Sequence, residues 1–478
     1  MAATQLVKQF TLEPPDVTED DIRRYSKEIG EPGWLTDFRL EAYKRFKTLE
    51  VEPSQLFYKY VDLSGVSVRN AEYLRYRDKL STPLGFGELD DAVFIAHAQG
   101  NVVRVPEEVE RSGIIVETMD EAVKKHPDLL KQVWDKKSVT PDTDKFAAFT
   151  CALFDTGVFI YVPKEVELKI PLRLVFLATG RPDATVSHNL VYASEHSSVN
   201  IIEEGYSLAE GENSVAAFIA DVQAAAGAKV TYSVFQGYSN SVSVFSNRRA
   251  SVGRDASVNW TFTHIGGNYV RSKLDNLMIG SGGSSEDIEV AFGNRKQRFD
   301  LSSNIVFFDT NSTGAVYSKA ALKDYSKGIM KGMIKIKEKA KASRGFLSYH
   351  ALLLSREAMA DAIPTLEIDT NDVKATHSAA VEQLDQEQLF YIMSKGVDED
   401  TARQLVALAF FEKAVERIPS PTLRSRIRSL VVSKWLGISL QEAFEREDLF
   451  EWALSYRGGE AKFSDIFAGH YKYRKTVE

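Results

Sequence analysis

Apolar residues fall into three regimes along this chain. In residues 1–144 they recur at helical spacing in short pieces. Residues 20–29 and 36–47 read as helices on either side of the turn Glu31-Pro32-Gly33-Trp34, and 120–134 as a helix broken near His126-Pro127. Pro53, Pro83 and Pro106 punctuate the connections. In residues 145–368 the period drops to two. Runs such as VFIYVP, SVNIIEEG, KVTYSVFQ, SVNWTFTHIGG, DIEVAFG and NIVFFDT follow one another between turn residues, as strands do, with almost no helical spacing among them. After residue 369 the period becomes helical again. Residues 385–395 form one expected helix ending at Gly396, and Asp398 reads as the N-cap of a second over 401–416, which Pro419 and Pro421 end. Two or three further helices are expected in 423–452, then a basic tail ending HYKYRKTVE.

A weak repeat runs through the strand-rich region. HSSVNIIEEG, GAKVTYSVFQ and DASVNWTFTH each place a small or polar pair before an alternating strand. Their valines Val199, Val230 and Val258 recur at about 30 residues, the range of a solenoid coil. A β-solenoid would stack these coils and bury a ladder of apolar side chains; a β-sandwich also gives many short strands.

Composition narrows the function classes. The chain has 478 residues, enough for about three domains, and 44% hydrophobic with 26% charged residues is ordinary for a globular protein. A net charge of −8 argues against a general nucleic-acid binder. The opening MAATQLVKQF lacks a signal-peptide pattern, and LVALAFF is far too short to span a bilayer, so a cytoplasmic protein with no membrane partner is expected. With Cys151 the single cysteine, neither a disulfide nor a four-cysteine cluster site can be built from one copy. GSGGSSED at 280–287 lacks the lysine and hydroxyl of a phosphate loop and reads as a solenoid turn, so no ATP hydrolysis is expected here. The lysines at 327, 331, 335, 337, 339 and 341 alternate onto one side of a strand, a solvated face rather than an RNA stripe.

Several stretches, taken in order, resemble the SufB/SufD family of iron–sulfur cluster assembly proteins. KFAAFTCALFDTGVFIYVPKEVELKIPL at 145–172 looks like that family's entry into its β-helix, DYSKGIMKGMIKIKEKAKASRGFLSYHALLLS at 324–355 like its last coils, and LFYIMSKGV at 389–397 like its helix-and-glycine signature. The junction LEIDTNDVKATHSAA, Arg271 and the spacing of Gln297 and Asp300 are similar to the SufD side. SREAMADAIPTLEI has no SufB-type cysteine, and Thr231-Tyr232-Ser233 stands where SufB has Gln-x-Trp. EPGWLTDFRLEAYKRF at 31–46 looks more like a SufB entry segment.

The resemblance implies a mainly β fold with α: a central right-handed parallel β-helix over 145–368, an N-terminal mixed helical region over 1–144 and a C-terminal helical domain over 369–478. It implies a non-catalytic scaffold that pairs with SufB, or with a second copy, near 366–377, and whose C-terminal helices dock the ABC ATPase SufC. ATP would belong to that partner, and an iron–sulfur cluster would form transiently at the subunit interface, with none held stably by this chain alone. Whether a flavin takes part is left open. The alternatives are a SufB-type primary scaffold and a β-helix carbohydrate-active enzyme; the strands give the second no clear acid pair.

The residues that would carry these roles also have plainer explanations. His377 can ligate metal or relay a proton at neutral pH, and the resemblance places it at the cluster-assembly interface; a hydrogen-bonded junction histidine is the plainer one. Leu389, Phe390, Tyr391, Phe410 and Phe411 would meet SufC, or pack within their own helical hairpin. Cys151, in the alternating segment AAFTCALF, reads as a buried, inert thiol.

Overall fold

In a computed structural model the described residues are 11–75, 78–79, 93–97, 100–179, 181–207, 211, 213–416 and 421–438. The chain divides into two compact units, Met1–Glu382 and Gln383–Glu478.

The first unit begins with the helices its spacing predicts. Glu19–Ile29 starts on a capping box, Thr18 with Asp21, and stops at Gly30, whose φ of 72° is the left-handed closure glycine tolerates. The next helix, Gly33–Thr48, starts at the foot of the expected turn. Met119–Lys125 and Pro127–Trp134 meet at the expected break, with Pro127 in the first turn of the second helix.

One element departs from expectation. Lys145–Leu153 is an α-helix with all nine residues buried, where the sequence reads as a strand entering the solenoid. KFAAFTCAL is apolar on every side, so a period of two and a period of 3.6 cannot be told apart in it. Asp144 decides the matter by capping Phe146 N at 2.9 Å and Ala147 N at 2.8 Å. The helix packs between the N-terminal helices and the outer face of a sheet, in a core with Phe46, Trp134, Val186, Ile219 and Phe245.

From Val158 the chain winds into a parallel β-solenoid of about eight turns. Successive strands alternate between an eleven-stranded and a nine-stranded sheet, so each coil lays one strand on each. The repeated valines are in register: Val230 lies between Val199 on one side and Val258 on the other. Their lumen-facing column belongs to one continuous apolar core with Ile201, Tyr232, Trp260 and Leu274. One corner is a ladder of left-handed residues. Asp255 N donates to Ser281 O at 2.9 Å, Gly282 N to Thr310 O at 3.0 Å, Asn311 N to Lys341 O at 2.9 Å and Ala342 N to Asp372 O at 2.7 Å, with φ between 55° and 73° at all four. GSGGSSED is one rung of this ladder, a solenoid turn as its sequence suggests.

The outer face of the smaller sheet is tied to the N-terminal region by buried polar contacts. Asp144 pairs with Arg271 at 2.9 Å, and Asp221 accepts from Ser138 N at 2.6 Å and Val139 N at 2.8 Å. His188 is fully buried there, its ring 4.8 Å from Trp134 and 5.3 Å from Phe154, with neither ring nitrogen hydrogen-bonded.

The solenoid continues past residue 368. A final strand, Val373–Gln383, follows the turn after Ile368, where the sequence placed the start of the helical domain. Its alternation is hard to see because the lumen side of VKATHSAAVEQ carries only two valines, two alanines and a histidine before its last residue, with small residues on the outward side as well. In the second unit Asp385 caps Gln386–Met393, Asp398 caps Glu399–Val415 through Thr401 N at 3.0 Å, and Pro421–Leu436 follows. The helices expected beyond it and the basic tail lie outside the described residues. No described helix is long and apolar enough to cross a membrane.

Candidate functional site: the open end of the solenoid

Among the described residues, both sheets stop at strands with a hydrogen-bonded neighbour on one side only. The larger ends at Val373–Gln383 and the smaller at Met359–Ile368. Such edges offer rows of unpaired N–H and C=O groups. Among the described residues of the first unit, nothing covers the lumen side of these strands either. Ala360, Ala362, Leu366, Val373 and Ala375 rest on the core yet stay partly exposed. Val381, of the same parity as Val373 and Ala375, is 44% exposed.

His377 sits at this end. Strand alternation puts it on the same lumen side as Val373 and Ala375, and its side chain is exposed. Among the described residues it makes no hydrogen bond or ion pair; its neighbour Ser378 donates to Ser348 Oγ at 3.2 Å. No described group of three or more His, Cys, Asp or Glu side chains could hold a metal ion.

Cys151 is remote from this chemistry. It lies inside the Lys145–Leu153 helix, fully buried, and desolvation pushes its thiol far above the ordinary range, so it has no thiolate to offer. The aromatic candidates separate. Leu389 and Phe411 are buried within the C-terminal unit, while Phe390 is 73% and Tyr391 57% exposed. Phe410 is half-buried, its ring 5.4 Å from that of Phe411. In the lysine run Lys331 departs from a solvated face: it is buried between Asp300 Oδ1 at 2.9 Å and Glu52 Oε2 at 3.4 Å.

Sequence reading missed a polar interior. Glu203 accepts from Tyr232 Oη at 2.6 Å and is paired with Arg248. Asp287 accepts from Asn276 Nδ2 at 2.8 Å and Ser285 Oγ at 3.1 Å, and burial raises its carboxyl well above the usual range. Glu289 accepts from Ser318 Oγ at 3.0 Å and lies 3.1 Å from His264 Nε2. The signal was present in the alternation, since Glu203 shares the parity of Val199 and Ile201, as Asp287 and Glu289 share that of Ser285, which lies beside Val258.

A family model described as "SUF system FeS cluster assembly, SufBD core domain" matches residues 176–410, and one described as "SufBD protein N-terminal region" matches 93–174. The chain belongs to the SufBD family. The SufBD core match takes in the whole open end, with His377, and reaches Leu389, Phe390, Tyr391 and Phe410. The iron–sulfur cluster assembly protein SufD of Bacillus subtilis is 27% identical over 427 residues, covering 87% of this chain and 98% of that protein. An iron–sulfur cluster assembly SufBD family protein of Staphylococcus haemolyticus is 28% identical over 421 residues, covering 84% of this chain and 90% of its own length. This SufBD chain is accordingly SufD-like, as its junction residues suggest.

Proposed function

We propose that this chain is a non-catalytic scaffold subunit of an iron–sulfur cluster assembly complex, and that it works through the open end of its solenoid. The observation that carries this reading is the coincidence, at one end, of two unpaired edge strands, an uncapped apolar lumen and an exposed histidine. A second SufBD chain, of SufB type or another copy, adds its own edge strands there and satisfies the open backbone groups. His377 then lies in the seam and offers an imidazole nitrogen to the nascent cluster, which is cargo of the complex. Buried Cys151 supplies no thiolate, so the cysteine ligands come from the other chain. The C-terminal helices take a SufC-type ATPase, with Phe390 and Tyr391 outermost, and ATP is hydrolysed in that subunit. The complex works in the cytoplasm.

The test is co-expression with SufB- and SufC-type partners, comparing wild type with His377→Ala for complex recovery and cluster absorbance. The expected result is an intact complex with its cluster signal lost or reduced several-fold. Undiminished absorbance in the mutant complex would remove His377 from the chemistry.

A further inference from the structure

The corner where the chain passes from the larger sheet back to the smaller one carries a surface that the open end does not use. Three successive turns stack there in register. Arg298 lies beside Lys327, and Lys327 beside Met359. Tyr325 N donates to Arg295 O at 2.8 Å, and Met359 N to Ser326 O at 3.1 Å. Neighbouring rungs are ~4.8 Å apart, so the side chains of the three turns form one patch. Tyr325 is 60% and Met359 55% exposed, and Arg295, Lys296, Lys327 and Arg356 stand exposed around them. Arg298 is spent on Asp62 at 2.9 Å, whereas Arg295, Lys296 and Arg356 form no ion pair among the described residues. Asp324, the acid of the middle turn, is occupied by its own backbone: its Oδ2 accepts from Arg295 N at 2.9 Å. Arg295 itself sits at a φ of 52°, so this turn presents an arginine where glycine would close it with less strain.

We infer that this corner docks an acidic segment of another protein, with Tyr325 and Met359 as its apolar anchors and the exposed cations as its rim. Tyr, Met and Arg are the residue types that protein interfaces concentrate. The rim chooses the partner's sign. Arg295, Lys296, Lys327 and Arg356 outnumber Asp324 and Glu357, which leaves a positive corner on a chain whose net charge is −8. An acidic segment is drawn to such a patch and turned away by the rest of the surface. A nucleic-acid strand is served less well, because single-strand sites interleave several aromatic rings and Tyr325 is the one exposed aromatic of these three turns. The docking surface is separate from the edge strands' open backbone groups, so it leaves the proposed pairing end free for its own subunit.

The test is binding of the full-length chain to a fluorescently labelled peptide in which glutamates surround one Phe and one Leu. Binding is expected, and it should weaken as salt is added. Tyr325→Ser, and separately Arg295→Asn combined with Arg356→Glu, are expected to weaken it by about tenfold or more. Asparagine is chosen at 295 because it tolerates the left-handed backbone. Lys339→Glu combined with Lys341→Glu, on the opposite corner between Lys327–Ile336 and Ser343–Leu353, should leave binding unchanged. All these positions are exposed, and unchanged circular dichroism shows that each variant is folded. An equal loss from the opposite-corner lysines, or binding that ignores Tyr325→Ser, reduces the contact to general charge attraction and overturns the site. A chain that does not bind the peptide overturns it as well. Tighter binding of polyuridylate than of the peptide, lost in the same variants, overturns the protein partner in favour of a nucleic acid. None of these variants touches the open end, so the role of His377 is judged separately.

Discussion

At the scale of single residues, burial decides which chemistry is available. His377 and His188 are the same side chain put to opposite uses. The first is exposed on an open edge and free to bind. The second lies between Trp134 and Phe154 with no partner for either nitrogen, and desolvation lowers its pKa from 6.5 to about 3. Between those two values the unfolded chain binds a proton at this position that the folded chain refuses. Stability therefore falls on acidification from pH 6.5, with a limiting slope of about 1.4 kcal/mol per pH unit. Denaturant titrations between pH 7.5 and pH 5, a window set above most carboxylate titration, should show a shallower loss in His188→Phe than in wild type. An unchanged slope would mean that the site admits water. None of this was legible in the sequence. Both histidines stand among small and polar residues, and only the helices folded over His188 distinguish them.

Among the elements, the strands were the most legible because solenoid coils repeat both their alternation and their turns. The valines at 199, 230 and 258 reveal the coil length, and the structure sets them side by side. Two elements hid for opposite reasons: the Lys145–Leu153 helix is too apolar to show a period, and the Val373–Gln383 strand is not apolar enough. Packing inside the coils was also invisible, since it depends on which residues cross the lumen. Tyr349 reaches from one sheet toward the other, where a Cβ added to Gly332 would lie 2.1 Å from its hydroxyl and 2.1 Å from Ser303 O. Backbone cannot yield as a flexible side chain would. Gly332→Ala is thus expected to destabilise the last coils by about 1–3 kcal/mol, read as a lowered midpoint in chemical denaturation. A variant as stable as wild type would show that this part of the lumen is loosely packed.

For the molecule as a whole, the fold and family were readable while the division of labour was only half so. For the apolar residues of the C-terminal helices a partner surface and packing within their own hairpin stay open in the sequence, because helical spacing alone does not say which face its own unit covers. Leu389 and Phe411 build that unit, and Phe390 and Tyr391 are left outside. Replacing Phe390 and Tyr391 together with Ala should leave thermal stability within about 0.5 kcal/mol, as for surface positions. It should also reduce co-purification of a SufC-type ATPase at least tenfold. A loss of stability without a loss of ATPase would return both rings to the fold.

The left-handed corner ladder has a further consequence. Each rung joins a coil only to the next, and the rung from Ala342 to Asp372 is the last before the open edge. A solenoid built this way behaves as a one-dimensional array of nearest-neighbour couplings, so fraying begins at a terminus with nothing stacked on it. Among the described residues of the first unit nothing is stacked on the terminus that carries His377. Whatever docks there acts as a capping repeat, and by mass action it raises the unfolding temperature of the coils beneath. If a subunit pairs there as proposed, the unfolding temperature of this chain is expected to rise with that subunit's concentration, and a temperature independent of it would speak against docking at this end.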